Sequence, residues 1–404
     1  MTIDVNKKFG VFGLGISGIA TLKYLRKKGV SFIAYDDKIT ELAEFADHVR
    51  DLSDPLWEKI DYLILSPGIP LTHPKPHRVV EIAHKANAKI ICDIELLYLE
   101  NPDSYFIGIT GTNGKSTTTA LIAHILRYNG VNAIAAGNIG MPVLDIEVKA
   151  DSVFVIEASS FQLDLLDKTK FNIGLLLNIT PDHLDRHGNM ENYRKSKYRI
   201  FANQTVNDHA ISFLEEGHFA IDNSIELPFN NSLRGEHNKQ NLQASIACCL
   251  KFGLKMEQII AAIPSFVGLK HRMQYLGKHN GVTFINDSKA TNADSSSKAL
   301  GSFENIIWIV GGVAKEGGIE SLKEYFPKIK QVLLIGKSSD EFAQTCGSEV
   351  AWKKCDTLSN AFKAACEMAI EGDVVLLSPA CASYDQWKNF EERGEAFIKM
   401  VSSI

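Results

Sequence analysis

The chain has 404 residues, which is longer than a single hydrophobic core usually supports, so two or three domains are expected. Hydrophobic residues make up 45% and charged residues 23%, as in ordinary soluble globular proteins. The net charge of -5 argues against a nucleic-acid-binding surface, which needs a basic footprint. No apolar run approaches the ~20 residues that span a bilayer. The polar start, Met1–Lys8, does not resemble a signal peptide, and the seven scattered cysteines lack metal-site spacing, so we expect a cytoplasmic protein with reduced thiols.

Strand patterns alternate with helix patterns along the whole chain. Apolar β-rich runs predict strands at Phe9–Leu14, Ser31–Asp36, Tyr62–Ser66, Ile90–Ile94, Tyr105–Thr110, Asn132–Ala136, Ser152–Glu157, Ile173–Asn178, Val282–Asn286, Ile306–Val310, Gln331–Ile335 and Val374–Ser378. Helical spacing is clearest at Ile19–Lys28 and Lys115–Tyr128. This alternation is typical of α/β domains with parallel sheets.

Two stretches rich in proline, glycine or asparagine divide the pattern into three series. Asn101-Pro102-Asp103 precedes a new strand, and a helical pattern ends in proline and glycine around Pro264–Arg272. We therefore predict α/β domains at residues 1–102, 103–268 and 269–404. The first and last are expected to be Rossmann-like, and the middle one a P-loop-type ATPase.

The segment Gly108–Ser116 carries the strongest chemical signal. It follows a predicted strand and opens a predicted helix, so its glycines let backbone N–H groups approach a phosphate at a helix N-terminus. Lys115 can neutralise the outer phosphates of ATP, and the Ser116 hydroxyl can bind Mg²⁺. The usual P-loop spacing would place a glycine at position 109, which is Ile. A simple glycine turn is the alternative interpretation, and the strand–loop–helix context favours nucleotide binding.

A second glycine-rich turn, Gly13–Gly18, follows the first predicted strand. Alone it suggests a dinucleotide such as NAD, with Asp36 on a ribose hydroxyl. The motif specifies a diphosphate at a helix N-terminus, which a UDP-sugar also supplies. A tight turn needed only for packing remains a third interpretation.

Polar residues follow two strands of the middle series. Glu157 ends one strand, and a carboxylate beside a P-loop is a natural Mg²⁺ ligand. His183, in Asn178–His187, follows the next strand and could bind a second cation. Because carboxyl ends of parallel strands share one edge, both should face one crevice.

Three other polar stretches are ambiguous on their residues alone. Lys197, within Tyr193–Lys197, would be interpreted as part of a solvated basic helix face. Asn238 and Asn241 would mark a polar helix start. The stretch Asn286–Asn292 closes a strand and could be a turn, although its many hydrogen-bonding groups suit a polar ligand.

Taken together, these motifs resemble those of the Mur ligase family over nearly the whole chain and in the same order. The loop Gly111–Ser116 and the positions of Glu157, His183 and Lys197 match the family as a whole. Asn286–Asn292 and Leu377–Phe390 are similar to the D-glutamate-adding type. The resemblance implies an ATP-dependent ligase that joins D-glutamate to UDP-N-acetylmuramoyl-L-alanine through an acyl phosphate, in peptidoglycan biosynthesis.

The resemblance also implies a set of site residues, with ATP and two Mg²⁺ ions as cofactors. The residues expected to act in catalysis are Lys115, Glu157, His183 and Lys197. The expected ATP contacts are Gly111, Thr112, Asn113, Gly114, Lys115, Ser116, Thr117, Asn238, Asn241, Arg272 and Asp287. The expected UDP-substrate contacts are Ile16, Ser17, Asp37, Lys38, Ser66, Gly68, Asn138 and Ser159. The expected D-glutamate contacts are Lys289, Thr291, Lys315, Ser383 and Phe390. The expected metal ligands are Ser116 and Glu157 for one ion, and His183 and a carbamylated Lys197 for the other.

Three other functions remain open at this stage. Another Mur-type or polyglutamate-adding ligase would share the central loop but lack the two C-terminal motifs. A nicotinamide-dependent oxidoreductase is suggested by Gly13–Gly18 and opposed by the second, ATP-type loop. A nucleotide-binding protein without turnover is opposed by the intact Lys115, Glu157, His183 and Lys197. We expect a monomer with small-molecule substrates, no nucleic-acid partner and no membrane insertion.

Overall fold

The structure, a computed structural model, describes residues 4–39, 42–214 and 228–404. The chain divides into two compact units, one of residues 1–226 with 243–262 and the other of residues 227–242 with 263–404. The first unit contains two sheets and the second contains one. The boundaries predicted after residues 102 and 268 stay predictions.

The first sheet is parallel, with strand order β2-β1-β3-β4. Its strands are β1 (Lys8–Phe12), β2 (Ser31–Tyr35), β3 (Tyr62–Leu65) and β4 (Lys89–Ile91). Its helices are α1 (Ile16–Lys27), α2 (Arg78–Lys85) and α3 (Asp93–Glu100), with 3₁₀ turns at Ala43–His48 and Pro55–Lys59. The order reverses between β1 and β3, which is where doubly wound sheets bind ligands.

The second sheet is also parallel, with order β6-β7-β5-β8-β9. Its strands are β5 (Tyr105–Thr110), β6 (Ala133–Gly137), β7 (Val153–Glu157), β8 (Ile173–Leu176) and β9 (His209–Ser212). Its helices are α4 (Lys115–Tyr128), α5 (Ser160–Leu163), α6 (Leu184–His187) and α7 (Met190–Tyr198), with 3₁₀ turns at Val143–Asp145 and Arg199–Phe201. Strands β5, β7 and β8 are buried along almost their whole length, as expected of central parallel strands.

Two helices and two short 3₁₀ turns follow in the chain. They are α8 (Glu236–Phe252) and α9 (Met256–Ala262), and 3₁₀ turns lie at Asn231–Leu233 and Ile263–Ser265.

The third sheet has order β10-β11-β15-β12-β13-β14, and only the β10–β11 pair is antiparallel. Its strands are β10 (Gln274–His279), β11 (Val282–Asn286), β12 (Ile306–Gly311), β13 (Ile329–Ile335), β14 (Trp352–Asp356) and β15 (Val374–Leu377). Its helices are α10 (Ala293–Leu300), α11 (Ser339–Cys346), α12 (Leu358–Met368) and α13 (Phe390–Val401), with a 3₁₀ segment at Glu320–Lys328. Apolar clusters cover both faces of this sheet.

The α/β class, with mainly parallel sheets, is confirmed. One predicted strand, Ile90–Ile94, is wrong in its second half, because β4 ends at Ile91 and α3 begins at Asp93. Asp93 and Glu95 lie in the first turn of α3, where acidic side chains favour a helix start. None of the helices in the described residues is long and apolar enough to cross a membrane.

Candidate functional site

The turn between β5 and α4 forms the centre of the candidate site. Gly111 has φ 157° and Gly114 has φ 84°, conformations that favour glycine and let the chain turn sharply into the helix. Gly114 is also the N-cap of α4 and provides no side-chain cap for the helix. A helix N-terminus reached through a glycine turn presents N–H groups and a positive dipole end to an anion.

The segment after β8 holds this loop in place. Asn178 accepts hydrogen bonds from Thr112 N at 3.0 Å, through its carbonyl, and from Asn113 N at 2.8 Å, through its side chain. Its amide donates back to Asn113 O at 3.1 Å. Thr180 N donates to the Thr112 hydroxyl at 3.0 Å. These four hydrogen bonds fix the position of the loop.

Glu157 lies at the carboxyl end of β7, beside β5 and β6, and its residue is only 1% exposed. Its Oε1 accepts a hydrogen bond from Asn138 at 3.3 Å. Its Oε2 is buried and has no hydrogen-bond partner among the described residues. An unsatisfied buried carboxylate oxygen is costly and indicates a missing ligand, such as a cation.

Lys197, on α7, is buried at 2% exposure, so its interpretation as a solvated basic residue is wrong. Its ammonium lies 4.6 Å from the centre of the Tyr193 ring and donates to Gly111 O at 2.8 Å. The pKa of Lys197 is lowered to about 7, chiefly by burial and also by the charge of Lys115, while Asp182 opposes the shift. Lys195 is the solvated member of this helix, since it is mostly exposed and paired with Glu191.

Lys115 and Lys197 meet at the same carbonyl. Lys115 donates to Gly111 O at 3.0 Å and to Thr112 O at 2.9 Å. Thr112 also contacts the Tyr193 hydroxyl at 3.0 Å, which ties α7 to the loop. The structure therefore brings Lys115 and Lys197 together at the phosphate-type turn.

His183 follows β8 and precedes α6, in a left-handed conformation with φ 52°. Its Nε2 lies 3.4 Å from an Asp182 oxygen, and its ring centre lies 5.0 Å from that of Phe161. About half of its side chain is exposed. Asp182, which faces His183, also favours the charged form of Lys197, since its carboxylate raises the pKa of that lysine.

The glycine turn after β1 is closely packed. A Cβ on Gly18 would lie 2.0 Å from Gly13 O, so only glycine fits there. Ser66, after β3, donates its hydroxyl to Gly13 O at 2.8 Å. Asp36 accepts hydrogen bonds from Leu14 N at 2.7 Å and from two further backbone N–H groups. Those bonds lower the pKa of Asp36 against the opposing effect of burial, so this carboxylate mainly fixes the loop.

The other predicted UDP-substrate residues lie near carboxyl ends of strands in the first two sheets. Ile16 begins α1 and is 79% exposed, and Ser17 follows it. Asp37 and Lys38 follow β2, and Asp37 accepts from His77 at 2.9 Å. The Gly68 loop is joined to α6 by a hydrogen bond that Arg186 donates to Gly68 O at 2.9 Å.

Two further predicted substrate residues flank Glu157. Asn138 follows β6 and is the partner of Glu157 described above. Ser159 caps α5, its hydroxyl accepting from Gln162 N at 3.2 Å. The chain places both at the same sheet edge as the phosphate-type loop.

The second unit contains a buried acidic site. Asp287 follows β11, accepts from Met273 N at 3.0 Å and accepts from the Ser378 hydroxyl at 2.8 Å. Burial raises the pKa of Asp287 to about 7, while these bonds and the charge of Arg272 oppose the rise. Thus Arg272 and Asp287, both predicted ATP contacts, lie close enough to interact.

Asn238 and Asn241 lie near the start of α8, as predicted, but are buried. Asn238 donates to Arg234 O at 2.8 Å, and Asn241 donates to the Asn238 side chain at 3.0 Å. Their exposures are 4% and 5%. They form a buried, hydrogen-bonded polar pair.

The residues predicted to contact D-glutamate lie on three segments of the second unit. Lys289 and Thr291 follow β11, and the Lys289 ammonium is 5.4 Å from the centre of the Phe390 ring. Ser383 follows β15 and is buried. Lys315 follows β12 and is exposed. The structure brings Lys289 and Phe390 together, and Val313 pairs with Ala382 beside Ser383.

Three residues that hold segments of the candidate site were not predicted from the sequence. Tyr193 contacts both Thr112 and Lys197, and Ser288 donates to Phe390 O at 2.8 Å. Arg393, on α13, is fully buried. A charged residue on a helix is usually solvated, so nothing in its spacing predicts its burial.

The donor set near the P-loop fits Mg²⁺. The Ser116 hydroxyl and the partnerless Glu157 oxygen are hard oxygen donors, which this ion prefers. No group of three or more His, Cys, Asp or Glu side chains able to hold a metal occurs within residues 4–39, 42–214 and 228–404. Magnesium usually uses one or two protein oxygens together with substrate phosphates, so this finding agrees with the proposed donors.

Family models match three consecutive parts of the chain. The Mur ligase MurD-like N-terminal domain matches residues 7–92, the Mur ligase middle domain matches 109–280, and the Mur ligase glutamate ligase domain matches 271–381. Together these matches account for most of the chain.

Comparison with individual proteins also finds Mur ligases. The chain is 44% identical to UDP-N-acetylmuramoylalanine--D-glutamate ligase of Brucella abortus, covering 99% of this chain and 96% of that one. It is 42% identical to the enzyme of the same name from Agrobacterium fabrum, covering 98% and 95%. Its fold is similar to that of UDP-N-acetylmuramate-alanine ligase MurC of Thermotoga maritima, with a TM-score of 0.62, 18% identity and coverage of 98% and 99%. It is also similar to MurF of Acinetobacter baumannii, with a TM-score of 0.57, 16% identity and coverage of 80% and 82%. The chain belongs to the Mur ligase family.

Proposed function

We propose that this chain is an ATP-dependent amide ligase that adds D-glutamate to UDP-N-acetylmuramoyl-L-alanine in peptidoglycan biosynthesis. The observation that carries the proposal is the arrangement around Gly111. A phosphate-type turn, two lysines on one carbonyl and a buried carboxylate oxygen without a partner all lie at one sheet edge. The identity to D-glutamate ligases over nearly the full length supports the choice of amino acid.

The reaction joins groups that repel one another. The substrate carboxylate takes the terminal phosphoryl group of ATP to give an acyl phosphate, the D-glutamate nitrogen then bonds to its carbonyl carbon, and phosphate leaves. Bringing these anions together requires fixed positive charge. Lys115 is placed to supply it, because its present partners are the carbonyls of the phosphate loop itself.

We propose that Ser116 and Glu157 hold one Mg²⁺ and that His183 and a carbamylated Lys197 hold a second. When bound, the ions supply charge compensation for the phosphates and the carboxylate. A buried amine with a lowered pKa is available to react with CO₂, and the product is an anionic oxygen ligand. Lys195 is instead exposed and paired with Glu191.

The substrate contacts follow the two glycine turns. We assign the UDP-sugar diphosphate to the turn Gly13–Gly18, with Ile16, Ser17, Asp37, Lys38, Ser66 and Gly68 around the nucleotide. Asn138 and Ser159 would orient the muramoyl-alanine end, since both flank Glu157. Gly111–Thr117 would hold the ATP phosphates, while Asn238, Asn241, Arg272 and Asp287 contact its nucleoside.

The second unit provides the groups for the amino acid. Lys289 and Lys315 are cations, and Thr291 and Ser383 offer hydroxyls, a combination suited to two carboxylates. The Phe390 ring covers the Lys289 ammonium and would limit the space around the ligand. We further propose a cytoplasmic monomer acting on small molecules only.

A phosphate-release assay tests the proposal. The purified chain is incubated with ATP, Mg²⁺, the UDP-sugar–alanine substrate and one amine donor at a time: D-glutamate, L-glutamate, L-alanine or a diamino acid. We expect release with D-glutamate alone and none without the UDP-substrate. Release with L-alanine or a diamino acid, and none with D-glutamate, would contradict the proposal.

A further inference from the structure

Arg393 is a fully buried cation, and the reaction described above assigns it no role. It lies on α13, and its relative exposure is 0%. It forms no ion pair in the described part of the chain, and its Nη1 is buried without a hydrogen-bond partner. Burial lowers the pKa of Arg393 to about 10, while Cys381 and Asp385 act in the opposite direction. A buried charge of this kind is expensive, and packing alone could be achieved with an apolar side chain.

The contacts of Arg393 all go to two loops. Its Nε donates to the Ser288 hydroxyl at 3.0 Å, and its Nη2 donates to Ser288 O at 2.9 Å. The same Nη2 donates to Cys381 O at 3.0 Å. The Ser288 hydroxyl in turn donates to Phe390 O at 2.8 Å. One guanidinium therefore fixes the backbone after β11 to the backbone after β15, and a hydroxyl links both to the start of α13.

These segments are the ones that carry the proposed D-glutamate contacts. Ser288 directly precedes Lys289, and Cys381 is two residues before Ser383. Phe390 begins α13, one turn before Arg393. A planar guanidinium can bond in two directions at fixed angles, which a single ammonium cannot reproduce. A shift of about 1 Å in either loop would separate groups that must bind one small ligand together.

We propose that Arg393 is a positioning residue for the D-glutamate site, which sets the distance between the Lys289 loop and the Ser383 loop. The inference rests on the proposed function, because it takes D-glutamate as the amine substrate. Arg393 acts through these loops and is not assigned any contact with the amino acid.

The test compares Arg393→Lys with the wild type and with a matched control, Phe397→Leu. Phe397 is also fully buried on α13, but it packs against Phe362 and the apolar core of the sheet. The KM for D-glutamate, the KM for the UDP-substrate, the KM for ATP and the melting temperature are measured for each protein. We expect Arg393→Lys to raise the KM for D-glutamate on the order of tenfold, with the other two KM values within about twofold. Phe397→Leu should lower the melting temperature without a selective change in any KM.

Ser288→Ala provides a second, milder variant in case Arg393→Lys does not fold. It removes the hydroxyl that joins Arg393 to Phe390, so its KM for D-glutamate should rise severalfold in the same selective way. An unchanged KM for D-glutamate, or an equal rise in all three KM values, would overturn the inference. Failure of the wild type to use D-glutamate would instead overturn the proposed function, so the two failures are distinguishable.

Discussion

The proposed role of Lys197 leads to a prediction that separates it from its helix neighbour Lys195. Lys197 is 2% exposed, and its ammonium is held by Gly111 O at 2.8 Å and by the Tyr193 ring. Lys195 is exposed and paired with Glu191. We expect Lys197→Ala to lose most activity and Lys195→Ala to keep it.

The magnitude follows from the pKa and from electrostatics. With a pKa of about 7, roughly nine in ten Lys197 side chains are neutral amines at pH 8, against about four in a thousand for an ordinary lysine. In the proposed carbamylation, the neutral nitrogen would bond to CO₂ and release a proton, giving a carbamate. Losing one negative charge about 4 Å from a positive one, at an effective dielectric near 20, costs about 4 kcal/mol. The activity of Lys197→Ala should therefore fall on the order of 10³-fold.

Steady-state rates of both variants in bicarbonate buffer give the first comparison. Addition of formate or acetate should partly restore Lys197→Ala, because a small carboxylate can occupy the vacated space. Carbon-13 NMR of the wild type in labelled bicarbonate should show a carbamate signal that Lys197→Ala lacks and Lys195→Ala retains. Near wild-type activity in Lys197→Ala would refute the reasoning, and the second metal site would then need other ligands.

Three further predictions concern other parts of the molecule. Titration should show saturable binding of the UDP-substrate and not of NADH. Gly18→Ala should abolish binding of the UDP-substrate, because the added Cβ would lie 2.0 Å from Gly13 O. Specific NADH binding without UDP-substrate binding would reject the assignment of the Gly13–Gly18 turn to the UDP-sugar. Asp287→Asn should gain stability relative to the wild type as pH rises from about 5 to about 7, because over that range the unfolded carboxyl is ionised while the folded one, with its pKa raised to about 7, keeps its proton. The gain should be at most about 3 kcal/mol and should level off above pH 7. Thermal unfolding at several pH values checks it, and a pH-independent difference would count against a buried carboxyl. Glu157→Gln should weaken Mg²⁺ binding, so the Mg²⁺ concentration for half-maximal rate should rise at least about tenfold. An unchanged Mg²⁺ profile would remove Glu157 from the metal site.

Buried strands and glycine turns are the features that could be predicted from the sequence. Tyr105–Thr110 and Lys115–Tyr128 have the predicted bounds, because an apolar run and a helix start flank an unmistakable glycine turn. Strands β9, β10 and β14 were not predicted. The Trp352–Asp356 strand lies at a sheet edge with one buried residue, so it lacks the apolar pattern on which strand prediction depends.

The sequence predicts residue types for the candidate site and does not predict their environments. Lys195 and Lys197 look alike in sequence, and only packing against Tyr193 and Gly111 buries one of them. Arg393 is a similar case, since its partners Ser288 and Cys381 are distant in the chain. Burial of a charged side chain depends on such tertiary contacts, which local spacing does not encode.

Transfer of oxygen from substrate to phosphate tests the central claim most directly. The UDP-sugar–alanine substrate is prepared with ¹⁸O in its alanine carboxylate and incubated with the chain, ATP, Mg²⁺ and D-glutamate. An acyl phosphate predicts that each phosphate released carries one ¹⁸O, and that mass spectrometry finds the D-glutamyl product in equal amount. Phosphate without ¹⁸O, or a product formed with another amino acid in preference to D-glutamate, would contradict the account.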